Sequence, residues 1–235
     1  MRRSAGWKVG VASAVALMGN PLELPAQGRR PLVIAILPFE DRGSYGQDKE
    51  IFRALRLGIP ATIAAELSNH PELRLAEPER VARALKTQKL DPGGRLDAAT
   101  AARVGKEAGA RYAISGNFAD FYGKFSLDAR VIDVETGQIV KVVTNDDPAL
   151  QDRSNLYRIV QEVGHKVLAA AGAGGSAAAS ERESRIIPTD ALTDYSLGLL
   201  YESRGDNAKA AQHYNQALST FPGYSEARDG VRRVR

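Results

Sequence analysis

The chain has 235 residues, no cysteine, 43% hydrophobic residues and a net charge of +4 from 32 basic and 28 acidic side chains. That is enough apolar material for one medium domain and a small appendage, and it excludes disulfide staples, thiol chemistry and a lipid on an N-terminal cysteine. Without Arg2, Arg3, Lys8 and Glu23 the net charge falls to about +2, and no stripe of lysine and arginine tracks phosphates, so no nucleic-acid partner is expected.

In chain order, residues 1–26 read as a signal peptide: a basic start, a short apolar run over 9–19, and Leu24-Pro25-Ala26 as a small-residue cleavage site. No later segment reaches about 18 consecutive apolar residues, so no integral membrane segment is expected after cleavage. The destination is the periplasm, free or against the outer membrane.

An α/β domain is expected over 30–172. Residues 31–39 (PLVIAILPF) predict a strand buried on both faces, and 40–49 a loop that contains Tyr45. Gly58 and Pro60 interrupt the following helical pattern, which begins at Glu50 or only at Pro60; the firm helix is placed at 60–69. A short strand at 73–76, a helix at 77–86 and a turn at 91–94 follow. Asp97 is placed to cap a helix over 98–107 that Gly109 ends.

Next comes a meander of strands over 111–122, 124–134 and 138–144, turned at Gly123 and at Glu135-Thr136-Gly137. Phe125, Leu127, Ala129 and Val131 alternate with Ser126, Asp128 and Arg130, one dry face and one wetter. A helix over 154–171 ends the domain. Residues 173–187 are small and polar and read as a flexible linker. The expected fold is therefore a mixed α/β sheet with flanking helices, followed over 188–235 by an all-α hairpin.

Residues of that hairpin carry a recognisable spacing: Leu197-Gly198-x-x-Tyr201, then Ala210-x-x-x-Tyr214, then Pro222. The pattern resembles one tetratricopeptide repeat, a unit that binds proteins. Leu197 and Tyr201 face the second helix with its stripe of Ala210, Tyr214, Ala217 and Phe221, while Leu192, Tyr195 and Leu199 form a second apolar face. A single repeat cannot cover both faces, so the rest of the chain, a second copy or a partner peptide must do so. The repeat's groove pattern points to Tyr195, Leu199 and Glu202 as protein contacts. Residues 225–235 read as a solvated capping helix.

No catalytic, metal or cofactor constellation is legible. His70, His165 and His213 lie far apart without a second ligand at metal spacing, and there is no GxSxG elbow or phosphate-binding glycine loop. Gly172-Ala173-Gly174 follows a helix, the wrong context for a dinucleotide site. Asp146-Asp147 precedes a proline and reads as a solvated turn, and the stretch 101–109 runs into a strand where a DNA-reading helix pair would need another helix.

The opening strand Ile34-Ala35-Ile36-Leu37-Pro38-Phe39, the block Ala101-x-x-Val104-Gly105 with Arg111-Tyr112-x-Ile114-x-Gly116, and the run from Asp128 to Val140 together resemble the periplasmic domain shared by CsgG-like curli-assembly proteins and TolB N-terminal-like domains. The resemblance covers about residues 31–172. It implies an exported, non-enzymatic accessory of envelope assembly or secretion, with a protein partner in the repeat's groove, or alternatively self-association as a subunit of an outer-membrane secretion channel. The turn at 121–125 leaves no room between its strands for the long membrane hairpins of that channel, and the chain has no lipobox cysteine.

Overall fold

A ten-residue apolar run can cross an entire sheet, and β1 (Leu32–Asp41) does so in its interior. It lies parallel to β2 (Leu73–Leu75) on one side and to β3 (Tyr112–Phe121) on the other. From β3 the chain meanders antiparallel through β4 (Lys124–Asp133) to β5 (Ile139–Thr144), and the short β6 (Gln151–Asp152) also pairs with β4. The order β2-β1-β3-β4-β5 is the mixed sheet expected from the sequence. The structure, a computed structural model, describes residues 31–46, 48–68, 70–89, 96–145, 150–172 and 185–235. The expected signal peptide, the turn at 91–94, Asp146-Asp147-Pro148 and residues 173–184 of the expected linker lie outside them.

Four of the seven described α-helices cover the sheet. On one face, Ile34, Phe118, Phe125 and Leu127 pack against α1 (Lys49–Leu67) and α4 (Leu156–Ala170). Each fully buried side chain of this size stabilises the fold by about 1.5–3 kcal/mol. On the other face, α2 (Pro78–Thr87) and α3 (Ala98–Glu107) cover Ala35, Leu37, Ala113 and Ile132, which lie toward one end of the strands. The expected cap holds: Asp97 accepts from Thr100 N at 2.7 Å.

Two local expectations are corrected. The first long helix begins at Lys49, not Pro60, and runs through both suspected breakers. Pro60 withholds one N–H from the Arg56 carbonyl, a cost the buried residues Phe52, Leu55, Ile59 and Ile63 outweigh. Gly58 is there for packing: a Cβ at this position would overlap Ser196 Oγ on α5 (Thr189–Ser203). The C-terminal α7 (Ser225–Arg233) is also more than a solvated cap, since Ala227, Gly230 and Val231 are buried.

The faces of the helical hairpin are therefore covered by the chain itself. α5 lies on α1 through the Gly58–Ser196 crossing. α6 (Asn207–Thr220) contributes Tyr214, whose ring fits between Gly198 of α5 and Gly230 of α7. A Cβ at Gly230 would come within 2.7 Å of that ring. Residues 31–235 form one compact unit in which the C-terminal helices belong to the same body as the sheet.

Candidate functional site

The residues singled out on the repeat are internal. Tyr195 is only 5% exposed, with its ring centroid 4.9 Å from that of Tyr224 and 5.9 Å from that of Tyr214. Leu199 is partly buried against the same core. Glu202 accepts from Arg233 Nε at 2.9 Å and Nη2 at 3.0 Å, and from the Tyr214 hydroxyl. Burial alone would raise the Glu202 carboxyl, but Arg233 and Tyr214 outweigh it and hold the group below the usual range. Burial, reinforced by Glu202, pushes the Tyr214 phenol well up. Glu202, through Arg233, and Tyr195, against Tyr224, help to fix α7, while Leu199 packs on the core. The histidines stay apart, with His213 Nδ1 3.0 Å from Asp194.

The residues presented outward lie at the opposite kind of place, the end of the sheet where β1 and β3 finish. Asp41 Oδ1 accepts from Gly43 N, Ser44 N and Ser44 Oγ, winding the chain after β1 into a tight turn. Ser44 Oγ then accepts from Asp120 N at 3.0 Å, and Tyr45 N donates to Asp120 O at 2.7 Å. This zips the loop to the end of β3 and places the Tyr45 ring on Phe121 (5.7 Å) and Tyr122 (6.2 Å). Tyr45 is 56% exposed, Phe121 39% and Tyr122 83%.

Tyr122 and Gly123 make a two-residue hairpin turn in which both residues have positive φ, +53° and +88°. Such turns favour Asn-Gly or Asp-Gly, and a bulky aromatic in the left-handed region costs about 1–2 kcal/mol. The surroundings hold it in place. Asp120 Oδ1 accepts from Gly123 N, and Arg153 N donates to Gly123 O. Asp120 is 1% exposed, with its other carboxylate oxygen 3.1 Å from the Arg153 guanidinium, which also reaches Asp48. The Arg153 carbonyl accepts from Thr189 Oγ1 at the start of α5. The sequence offered one signal for this site, a tyrosine standing before the glycine of a two-residue turn.

Beside the aromatic end, the sheet face that α2 and α3 leave open is polar. Glu40, Asn117 and Asp128 stand in one cross-strand row, and Ser115 faces Arg130 in the next. A cleft of about 220 Å³ is lined here by Glu40, Arg42, Leu96, Asp97, Asn117 and Arg130. Burial raises the Asp128 carboxyl despite Arg42 and Arg130 nearby. The third outward feature is the edge of β5, which pairs with no further strand among the described residues and where Ile139, Val140 and Val142 are each 43–51% exposed.

No protein-family profile and no curated relative matches the sequence. Among solved structures, the chain is similar to the C-terminal domain of LpoB from Salmonella enterica, at TM-score 0.36 and 18% identity over 51% of this chain and 84% of that one. It is similar to the PelC dodecamer subunit from Paraburkholderia phytofirmans at TM-score 0.35 and 17% identity, over 60% and 89%. TolB from Acinetobacter baumannii follows at TM-score 0.35 and 15% identity, over 70% and 31%. Likenesses this loose leave the function to the residues themselves. None of the described helices is long and apolar enough to cross a membrane.

Proposed function

We propose that this chain is an exported, non-enzymatic interaction protein of the cell envelope that binds a protein partner through the aromatic end formed by Tyr45, Phe121 and Tyr122. The observation that carries the proposal is Tyr122. It is a large aromatic ring, 83% exposed, held at a strained hairpin tip where asparagine or glycine would cost nothing. Strain kept in place by the buried Asp120 carboxylate and its Arg153 partner points to use, and tyrosine is enriched among interface hot spots. The envelope setting rests on the export signal and on the CsgG-like and TolB-like sequence resemblance. The tetratricopeptide groove is left out of the contact because its own chain fills it.

The test is a photocrosslinking amino acid at Tyr122 in the full chain expressed in its envelope. Discrete adducts are expected there, and none from the same group at Arg83, exposed on α2. Adducts from both positions alike, or from neither, would overturn the reading. A second reading, self-association in the manner of a secretion-channel subunit, is favoured by the bare apolar edge of β5. It requires the purified chain to sediment as a closed oligomer that Val142→Lys returns to the monomer.

A further inference from the structure

We propose that the polar cleft beside β3 and β4 binds a small zwitterion of amino-acid size, its carboxylate on Arg42 and Arg130 and its ammonium group facing Glu40 and Asp97. The cleft lies at the carboxyl ends of the parallel strands β1 and β3. From β1 the chain leaves to α1 on one face of the sheet, while β3 is entered from α3 on the other. Open α/β sheets place ligands in the crevice at such a reversal.

Its walls hold polar groups with capacity to spare. The buried Arg130 Nε has no partner, and behind the wall, opposite Arg130 on β3, the fully buried Ser115 Oγ has none either. Asn117 is nine-tenths buried, faces the cleft, and its carboxamide makes no hydrogen bond among the described residues. Buried polar groups are otherwise almost always satisfied, so two unsatisfied ones in one cross-strand row, beside an unpartnered carboxamide that opens into the cleft, mark a place built to receive hydrogen-bonding atoms.

Charge selects the class. Neither Arg42 nor Arg130 forms an ion pair among the described residues, yet Arg42, Arg130 and Asp128 lie close enough to act on one another electrostatically. A bare anion meets two carboxylates and a bare cation meets two guanidiniums, each at a penalty. A molecule carrying both charges a few ångströms apart meets each with its opposite. The volume of about 220 Å³ lies below the range of larger cofactors and suits an amino acid.

The test is thermal unfolding of the purified full chain with each of the twenty L-amino acids, one at a time, against acetate plus methylammonium at equal concentration. At least one amino acid, at about a hundredfold excess over its Kd, raises Tm by about 5 °C, and the separated ions do not. Arg130→Met, which keeps the aliphatic stem, abolishes the shift. Should that variant fail to fold, Arg42→Gln, at an exposed position, serves instead. No shift with any amino acid, an equal shift with the separated ions, or a shift undiminished in the folded variants overturns the proposal. None of these outcomes touches the crosslinking at Tyr122.

Discussion

The two ends of this molecule use tyrosine in opposite ways. In the C-terminal helices, Tyr195, Tyr214 and Tyr224 are buried in one another's company, with glycines at 198 and 230 cut away to admit a ring. At the end of the sheet, Tyr45 and Tyr122 stack outward, and the backbone is bent into an unfavourable shape to hold them there. The same side chain is a core residue in one place and a presented surface in the other. Residue type alone therefore says little about contact with a partner. What separates the two cases is whether the backbone is eased or strained to accommodate the ring.

The comparison breaks first at Tyr195→Ala. That change should cost about 3 kcal/mol or more in urea unfolding, because it empties a site between two rings, and it should leave crosslinking at Tyr122 unchanged where the fold survives. Gly58→Ala should come next, at about 2 kcal/mol, by pressing a methyl group into Ser196 where α1 and α5 cross. Protease cuts within α5 to α7, ahead of cuts in the sheet, would show that the crossing is what fails.

Acid sharpens the same division. Glu202 is held low by Arg233 and Tyr214, and Glu226 by Arg185 at 2.9 Å, in each case against the upward push of burial. Carboxyls depressed in the folded state stabilise it fully above their unfolded values, about 4.3, and that contribution is lost as pH falls through the folded ones. Asp128, raised by burial, has the opposite sign: its charge is a cost that protonation relieves. Below about pH 4 the near-ultraviolet signal of the buried tyrosines should therefore fade before the sheet melts, and Glu202→Gln should remove the Glu202 share of that pH dependence and leave the Glu226 share. Smallest in stability is Tyr122→Asn, which should raise it by about 1 kcal/mol by easing the turn, while abolishing the adducts formed from a probe placed at Tyr45.

Much of the fold was legible because period and punctuation agreed. The alternation of Phe125, Leu127, Ala129 and Val131 with polar neighbours fixed β4, and the Asp97 cap fixed the start of α3. Legibility failed where a residue answers to a distant partner. Gly58 and Pro60 read as breakers because nothing local shows that Ser196 will cross at Gly58. The C-terminal segment read as solvated because Arg228, Arg232 and Arg233 dominate its composition, whereas its packing surface is made of small residues. The spacing shows that the face carrying Tyr195 needs a cover, but not that the chain's own last helix supplies it, so Tyr195 reads equally well as a contact for a partner. The aromatic end escaped notice because Tyr45 and Tyr122 lie 77 positions apart and meet only when the first loop zips onto β3.

Arg153 has one further consequence. Its side chain grips the acids beneath the presented rings, while its carbonyl grips Thr189, where α5 begins. A tug on the rings thus reaches the root of the helical tail through a single amino acid, as tension in a guy rope reaches the mast through one shackle.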